Sequence, residues 1–75
     1  MNPYNLEYHF SNGEYVACWE EENRYWVKCM WLDEEGDFNK FKTGYEYRSY
    51  AENRFYQELG KLHYKRVMER IALLK

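Results

Sequence analysis

Proline is almost missing from this chain, with one residue, and glycine occurs only four times, so collagen-like, linker-like and low-complexity readings are excluded. Cysteine is as scarce: Cys18 and Cys29 are too few and too far apart for the disulfide framework of a small secreted domain. No Cys-x-x-Cys or His-x-x-x-His pair is present to hold zinc, and no cofactor motif is found, so neither metal nor cofactor is expected. No apolar run comes near the roughly 20 residues of a membrane-spanning helix. The opening Met1-Asn2-Pro3-Tyr4 also lacks the basic stretch and apolar core of a secretory leader. A reduced, cytoplasmic setting away from membranes is expected.

Aromatic side chains are present in quantity. Nine Tyr, four Phe and three Trp make up 21% of the 75 residues, far more ring surface than a disordered polar tail carries. A chain this short buries only about 60% of its unfolded surface, so these large side chains must stabilise one core. Residues 1–75 are therefore expected to form a single domain. Charge is divided along the chain: residues 1–39 hold nine acidic and two basic side chains, and residues 40–75 hold four acidic and nine basic, together giving the net −2. The two halves can neutralise each other in the fold, or each can offer a partner a field of one sign.

Alternation marks the strands. Tyr4, Leu6, Tyr8 and Phe10 fall on one side of a strand, and Asn5, Glu7 and His9 on the other. Ser11-Asn12-Gly13 is a three-residue connection in which Gly13 can take the left-handed conformation, leading into a second strand over 14–20. Glu21-Glu22-Asn23 turns the chain into a third strand, Arg24 to Leu32, and the loop Asp33-Glu34-Glu35-Gly36-Asp37 leads to a fourth. In that fourth strand Phe41, Thr43, Tyr45 and Tyr47 alternate with Lys42, Gly44, Glu46 and Arg48. With Gly13 as the left-handed residue, Phe10 faces Glu14, Tyr8 pairs with Val16 and Leu6 with Cys18. Val27, Cys29 and Trp31 then share that apolar face, while Tyr15, Ala17, Trp19, Trp26, Lys28 and Met30 point to the other side.

The last third reads as helical. Ser49-Tyr50-Ala51-Glu52 has the spacing of a capping box, and Ala51, Phe55, Leu59 and Leu62 form one apolar stripe. Tyr64, Val67, Met68, Ile71 and Leu74 form another on nearly the opposite side, which one straight helix cannot bury together with the first. A break near Gly60 and a second helix over 62–74 are predicted, with a fifth strand over 65–74 as the alternative. The predicted fold class is α+β: a four-stranded antiparallel β-meander with two C-terminal helices on one face, in the order ββββαα.

Catalysis fails on inventory. A nucleophile needs a base in reach and a group to orient it, and neither Cys18 nor Cys29 sits at a helix start or strand-to-helix elbow that would activate a thiol. His9 and His63 read as a strand residue and a helix-end residue, and no catalytic residue is assigned. The acidic groups Glu20-Glu21-Glu22 and Asp33-Glu34-Glu35-Asp37 lack the ligand spacing of a calcium loop and, in a meander, lie at opposite sheet ends. They read as solvated turns. Two helices cover one sheet face only, which leaves Tyr15, Trp19, Trp26 and Met30 beside Lys28 as an apolar patch of the kind that marks an interaction surface. These four side chains are the expected anchors for a protein partner, with Glu21, Glu22, Asp33, Glu34, Glu35 and Asp37 as electrostatic contacts to a basic surface, including one that normally receives nucleic acid.

Two other readings stay open. In one the chain binds single-stranded nucleic acid, stacking bases on Tyr15, Trp19 and Trp26 with Arg24, Lys28, Lys40 and Lys42 on the phosphates; in the other it is a homodimer paired through that face or a free edge strand. In length, acidity, aromatic content and element order the chain resembles phage-encoded anti-CRISPR and anti-restriction inhibitors, an outline that rests on no motif. The resemblance implies a non-enzymatic inhibitor that occupies a basic surface on a host defence nuclease complex.

Overall fold

Gly13 sets the register of the sheet. Its φ of +98° is open to glycine at little steric cost. Around it the Phe10 amide donates to the Glu14 carbonyl at 2.8 Å, and the Gly13 amide to the Phe10 carbonyl at 3.1 Å. Tyr8 then faces Val16, and Leu6 faces Cys18, as the turn chemistry predicts. The next turn places Glu22 and Asn23 at φ of 54° and 62°, the paired left-handed residues of a two-residue hairpin whose twist matches that of its strands. It brings Trp19 opposite Trp26, and Cys18 opposite Val27.

The computed structural model describes residues 4–74. Strands β1 (Asn5–His9), β2 (Tyr15–Glu21), β3 (Arg24–Leu32) and β4 (Phe38–Tyr45) form one antiparallel sheet in the order β1-β2-β3-β4, followed by helix α1 (Arg48–Leu73). The α+β meander is as expected. The two helices are not: α1 is a single helix of 26 residues. Gly60 is absent from the positive-φ glycines and so does not cap a helix, and 65–74 is not a strand. The two apolar stripes need no break because only the first is buried. Ala51, Phe55 and Leu62 pack on the sheet, whereas Tyr64, Val67, Met68, Ile71 and Leu74 stay exposed on the far side.

The helix also begins earlier than the capping box predicts. Tyr47 is its N-cap, and no side chain caps it. Glu52, which the box would need, instead accepts the Tyr4 hydroxyl at 2.7 Å and pairs with Arg48 at 3.2 Å. Tyr47 accordingly leaves the fourth strand, which ends at Tyr45.

The core lies between α1 and strands β2, β3 and β4. Val16, Cys18, Val27 and Cys29 make a floor of small side chains, into which Ala51, Phe55 and Leu62 pack from above. Small residues let the helix approach closely, and the larger rings of Tyr4, Phe10, Tyr25, Trp31, Phe41 and Tyr45 close the perimeter. Two carboxylates are buried: Glu58 on α1, paired with Arg54 at 2.9 Å and Lys61 at 3.2 Å, and Glu14 in the first turn. Glu14 is fully enclosed, accepts hydrogen bonds from Asn12 Nδ2 (3.0 Å) and the Leu32 amide (2.9 Å), and meets Lys65 Nζ at 2.6 Å. Burial pushes its pKa up, and the hydrogen bonds from Lys65, Leu32 and Asn12 more than reverse this, leaving it below the ordinary value.

Candidate functional site

Antiparallel pairing arranges the uncovered side of the sheet as three rows of four. Asn5, Trp19, Trp26 and Gly44 form one row, Glu7, Ala17, Lys28 and Lys42 the next, and His9, Tyr15, Met30 and Lys40 the third. The structure thus brings together all four predicted anchors, Tyr15, Trp19, Trp26 and Met30. They are half-buried by one another and by the lysines. Lys42 Nζ lies 4.6 Å from the Trp26 ring centroid and 5.5 Å from that of Trp19; Lys28 Nζ lies 5.7 Å from Tyr15, and the Arg24 guanidinium 5.8 Å from Trp26. His9 stacks on Tyr15 with centroids 5.1 Å apart.

The indoles are held in place. Trp19 Nε1 donates to the Glu21 carboxylate at 2.9 Å, and Trp26 Nε1 to the Glu21 carbonyl at 3.1 Å. Glu21, expected as a contact for a partner, is engaged in positioning the rings. The six-membered ring of Trp26 lies flat on Gly44, where an added Cβ would come within 2.8 Å of it. Gly44→Ala must push the indole off the strand and should cost roughly 1 to 3 kcal/mol. Urea denaturation measures this, and a red-shifted tryptophan emission would report the displaced ring.

Charge on this face is the feature that pattern reading undervalued. Lys28 and Lys42 are directly opposite each other across β3 and β4, and Lys40 stands opposite Met30. Among the described residues no carboxylate is within ion-pair distance of Arg24, Lys28, Lys40 or Lys42. Net charges summed over chain halves obscured this cluster, whereas the alternation of Lys40 and Lys42 with Phe41 and Thr43 already put both lysines on the uncovered side.

The acidic residues lie elsewhere. Glu22 sits in the β2–β3 turn, and Asp33, Glu34, Glu35 and Asp37 in the β3–β4 loop, at opposite ends of β3. The carboxylates of Asp33, Glu35 and Asp37 approach within 4.8 Å of one another. Asp33, however, accepts the amides of Glu35 and Asp37 and the Asn39 side chain, each at 2.9 Å. Asn39 foremost, then those backbone bonds, lower its pKa. This carboxylate holds its own loop in shape.

Neither thiol is poised to react. Both cysteines are buried, and burial raises both pKa values, that of Cys29 to about 11 with the charges of Glu58 and Glu14 adding to it. His63 packs its ring 5.2 Å from Tyr8 of the edge strand and 5.0 Å from Phe10 just beyond it. Among the described residues no helix is long and apolar enough to cross a membrane.

The fold and face define a class: a small antiparallel meander with one side closed by a helix and the other lined with rings and cations. Compared with known protein families, curated proteins and solved structures, the chain finds no match.

Proposed function

We propose that the chain is a non-enzymatic binding module that holds a single strand of nucleic acid on the uncovered face of its sheet. The observation that carries this reading is the pair Lys28 and Lys42, opposite each other and without a carboxylate, beside Tyr15, Trp19 and Trp26. Like charges directly opposite destabilise a sheet. Such a local conflict is characteristic of a surface shaped by a ligand. A single strand of nucleic acid supplies both missing partners at once, phosphates for Arg24, Lys28, Lys40 and Lys42, and flat bases for the rings, each stacked base being worth about 1 to 3 kcal/mol. Trp26, flat on Gly44, leaves its outer side to Lys42 and to an incoming base.

A titration of tryptophan fluorescence with short single-stranded DNA and RNA tests this. Binding should quench the emission, and four phosphate contacts should give a slope of log affinity against log salt of about −3. The double variant Lys28→Glu/Lys42→Glu should bind at least roughly 100-fold more weakly while keeping its circular dichroism spectrum. Unchanged affinity in that variant would sink the reading.

The two acidic turns favour a second reading, in which the ligand is a protein with a basic surface, occupied as an inhibitor would occupy it. Glu22 at one end and Glu34, Glu35 and Asp37 at the other would then steer association. Reversing Glu34 and Glu35 to Lys would slow the on-rate under this reading, and would strengthen nucleic-acid binding under the first.

A further inference from the structure

Most of the large apolar side chains that stay exposed lie on α1, not on the sheet. From Tyr50 to Leu74 the outward line of the helix runs at alternating steps of three and four residues, through positions 50, 53, 57, 60, 64, 67, 71 and 74. Nine of the 26 helix residues are charged, yet none falls on that line. This is the spacing of a coiled-coil seam. In its second half Tyr64 is 67% exposed, Val67 53%, Ile71 43% and Leu74 87%.

Gly60 supplies an independent observation. It lies on the same line, and among the described residues, its own turn of helix aside, nothing comes within 4 Å of where its Cβ would be. Glycine inside a helix costs about 1 kcal/mol relative to alanine. It adopts no positive φ here and makes room for no neighbour in its own chain. A second helix laid along this line would use that room, because a bare backbone permits close approach.

We propose that the outer face of α1 is a self-association seam on which a second copy of this chain pairs in parallel. The occupant is a second copy because the seam is uncharged along its whole length and matches the same seam on another copy. With Tyr50 and Met68 the exposed side chains offer on the order of 600 Å² per copy, so pairing buries roughly 1,000 Å² in total, at the lower end of specific interfaces. An interface at this end of the range is expected to hold with a dissociation constant on the order of micromolar, the weak end of what such areas give. The flanking residues decide the direction. In parallel pairing Ser49 meets Arg54, Tyr56 meets Lys61, and His63 meets Met68, so the one like-charged pair, Arg70 with Lys75, falls past the end of α1 at Leu73. Antiparallel pairing about the middle of the seam would set Lys61 against its own copy. The sheet lies on the other side of α1, so neither binding face is covered, and the proposal stands apart from the nucleic-acid reading.

Sedimentation equilibrium up to about 1 mM, far above a micromolar constant, tests it. The wild type should pass from monomer to dimer, and Ile71→Glu, at an exposed position that leaves the fold intact by circular dichroism, should weaken the dimer at least roughly 30-fold. Gly60→Ala separates the proposal from a purely local role, since the added methyl should raise helix stability yet weaken the dimer severalfold. Leu74→Cys should form an interchain disulfide on mild oxidation, as only parallel, in-register pairing brings the two copies of residue 74 together. A wild type monomeric throughout, a dimer that survives Ile71→Glu, or a dimer tightened by Gly60→Ala would overturn the seam. Failure of Leu74→Cys to cross-link in a proven dimer would overturn its parallel direction.

Discussion

Replacing Glu14 by Gln should destabilise the fold by about 3 kcal/mol, although the two side chains are nearly the same size. Glu14 is fully buried, and its carboxylate ties three parts of the chain together: Asn12 in the first turn, the Leu32 amide at the end of β3, and Lys65 on α1. Lys65 Nζ also donates to the Leu32 carbonyl at 2.8 Å, so the cation bridges helix and strand. An amide keeps the shape and some of the hydrogen bonds but leaves Lys65 without its anion. The side chain of Lys65 is 36% exposed and can still reach water, which puts the cost at the low end for a broken buried pair. The pH dependence carries a sign. The native pKa of Glu14 lies below its ordinary value of 4.5, so its contribution is complete above that value and is lost as pH falls through the native one. Urea denaturation at neutral and acid pH should show the gap between wild type and Glu14→Gln narrowing as the carboxylate is protonated. A gap that stays constant down to acid pH would mean that the charge of Glu14 contributes nothing.

The same carboxylate shows what was legible in the sequence and what was not. A glutamate at the mouth of a hairpin reads as solvated, because its partner Lys65 is 51 residues away and on another element. The sheet was legible because each register decision is local: Gly13 fixes β1 against β2, Glu22-Asn23 fixes β2 against β3, and alternation then sorts every side chain to a face. The uncovered face and its four anchors followed from that. The helix was misread through a premise about burial. A second apolar stripe implies a break only if every stripe must pack within its own chain, and Tyr64, Val67 and Ile71 do not. Likewise Ser49 and Glu52 have the spacing of a cap, but a hydroxyl from Tyr4, 48 residues earlier, takes the glutamate. In both cases a nonlocal contact, present or missing, overrode a sound local pattern.

Phe55→Ala should cost about 3 to 5 kcal/mol, a large share of the roughly 4 to 11 kcal/mol that a chain of this length has in all. Phe55 is 4% exposed, the largest apolar side chain that α1 buries, and it packs with Val16, Cys18, Val27 and Cys29 of the sheet floor. Those floor residues are too small to close the cavity its removal leaves, and α1 cannot settle lower while Ala51 and Leu62 already rest on the strands. Ile71→Ala on the outer face of the same helix should change the monomer by no more than about 0.5 kcal/mol. Thermal denaturation at low micromolar concentration, where self-association is weak, makes the comparison. The contrast separates two faces of one helix, since Ala51, Phe55, Leu62 and Lys65 hold the fold while Tyr64, Val67 and Ile71 face outward. It also bears on the binding face, because Val27 and Cys29 flank Lys28 on the opposite side of β3. A loss of core packing beneath β3 should therefore weaken ligand binding only in proportion to the fraction unfolded. Stabilising Phe55→Ala with an osmolyte should then restore binding, whereas the Lys28→Glu/Lys42→Glu variant, folded throughout, should recover none.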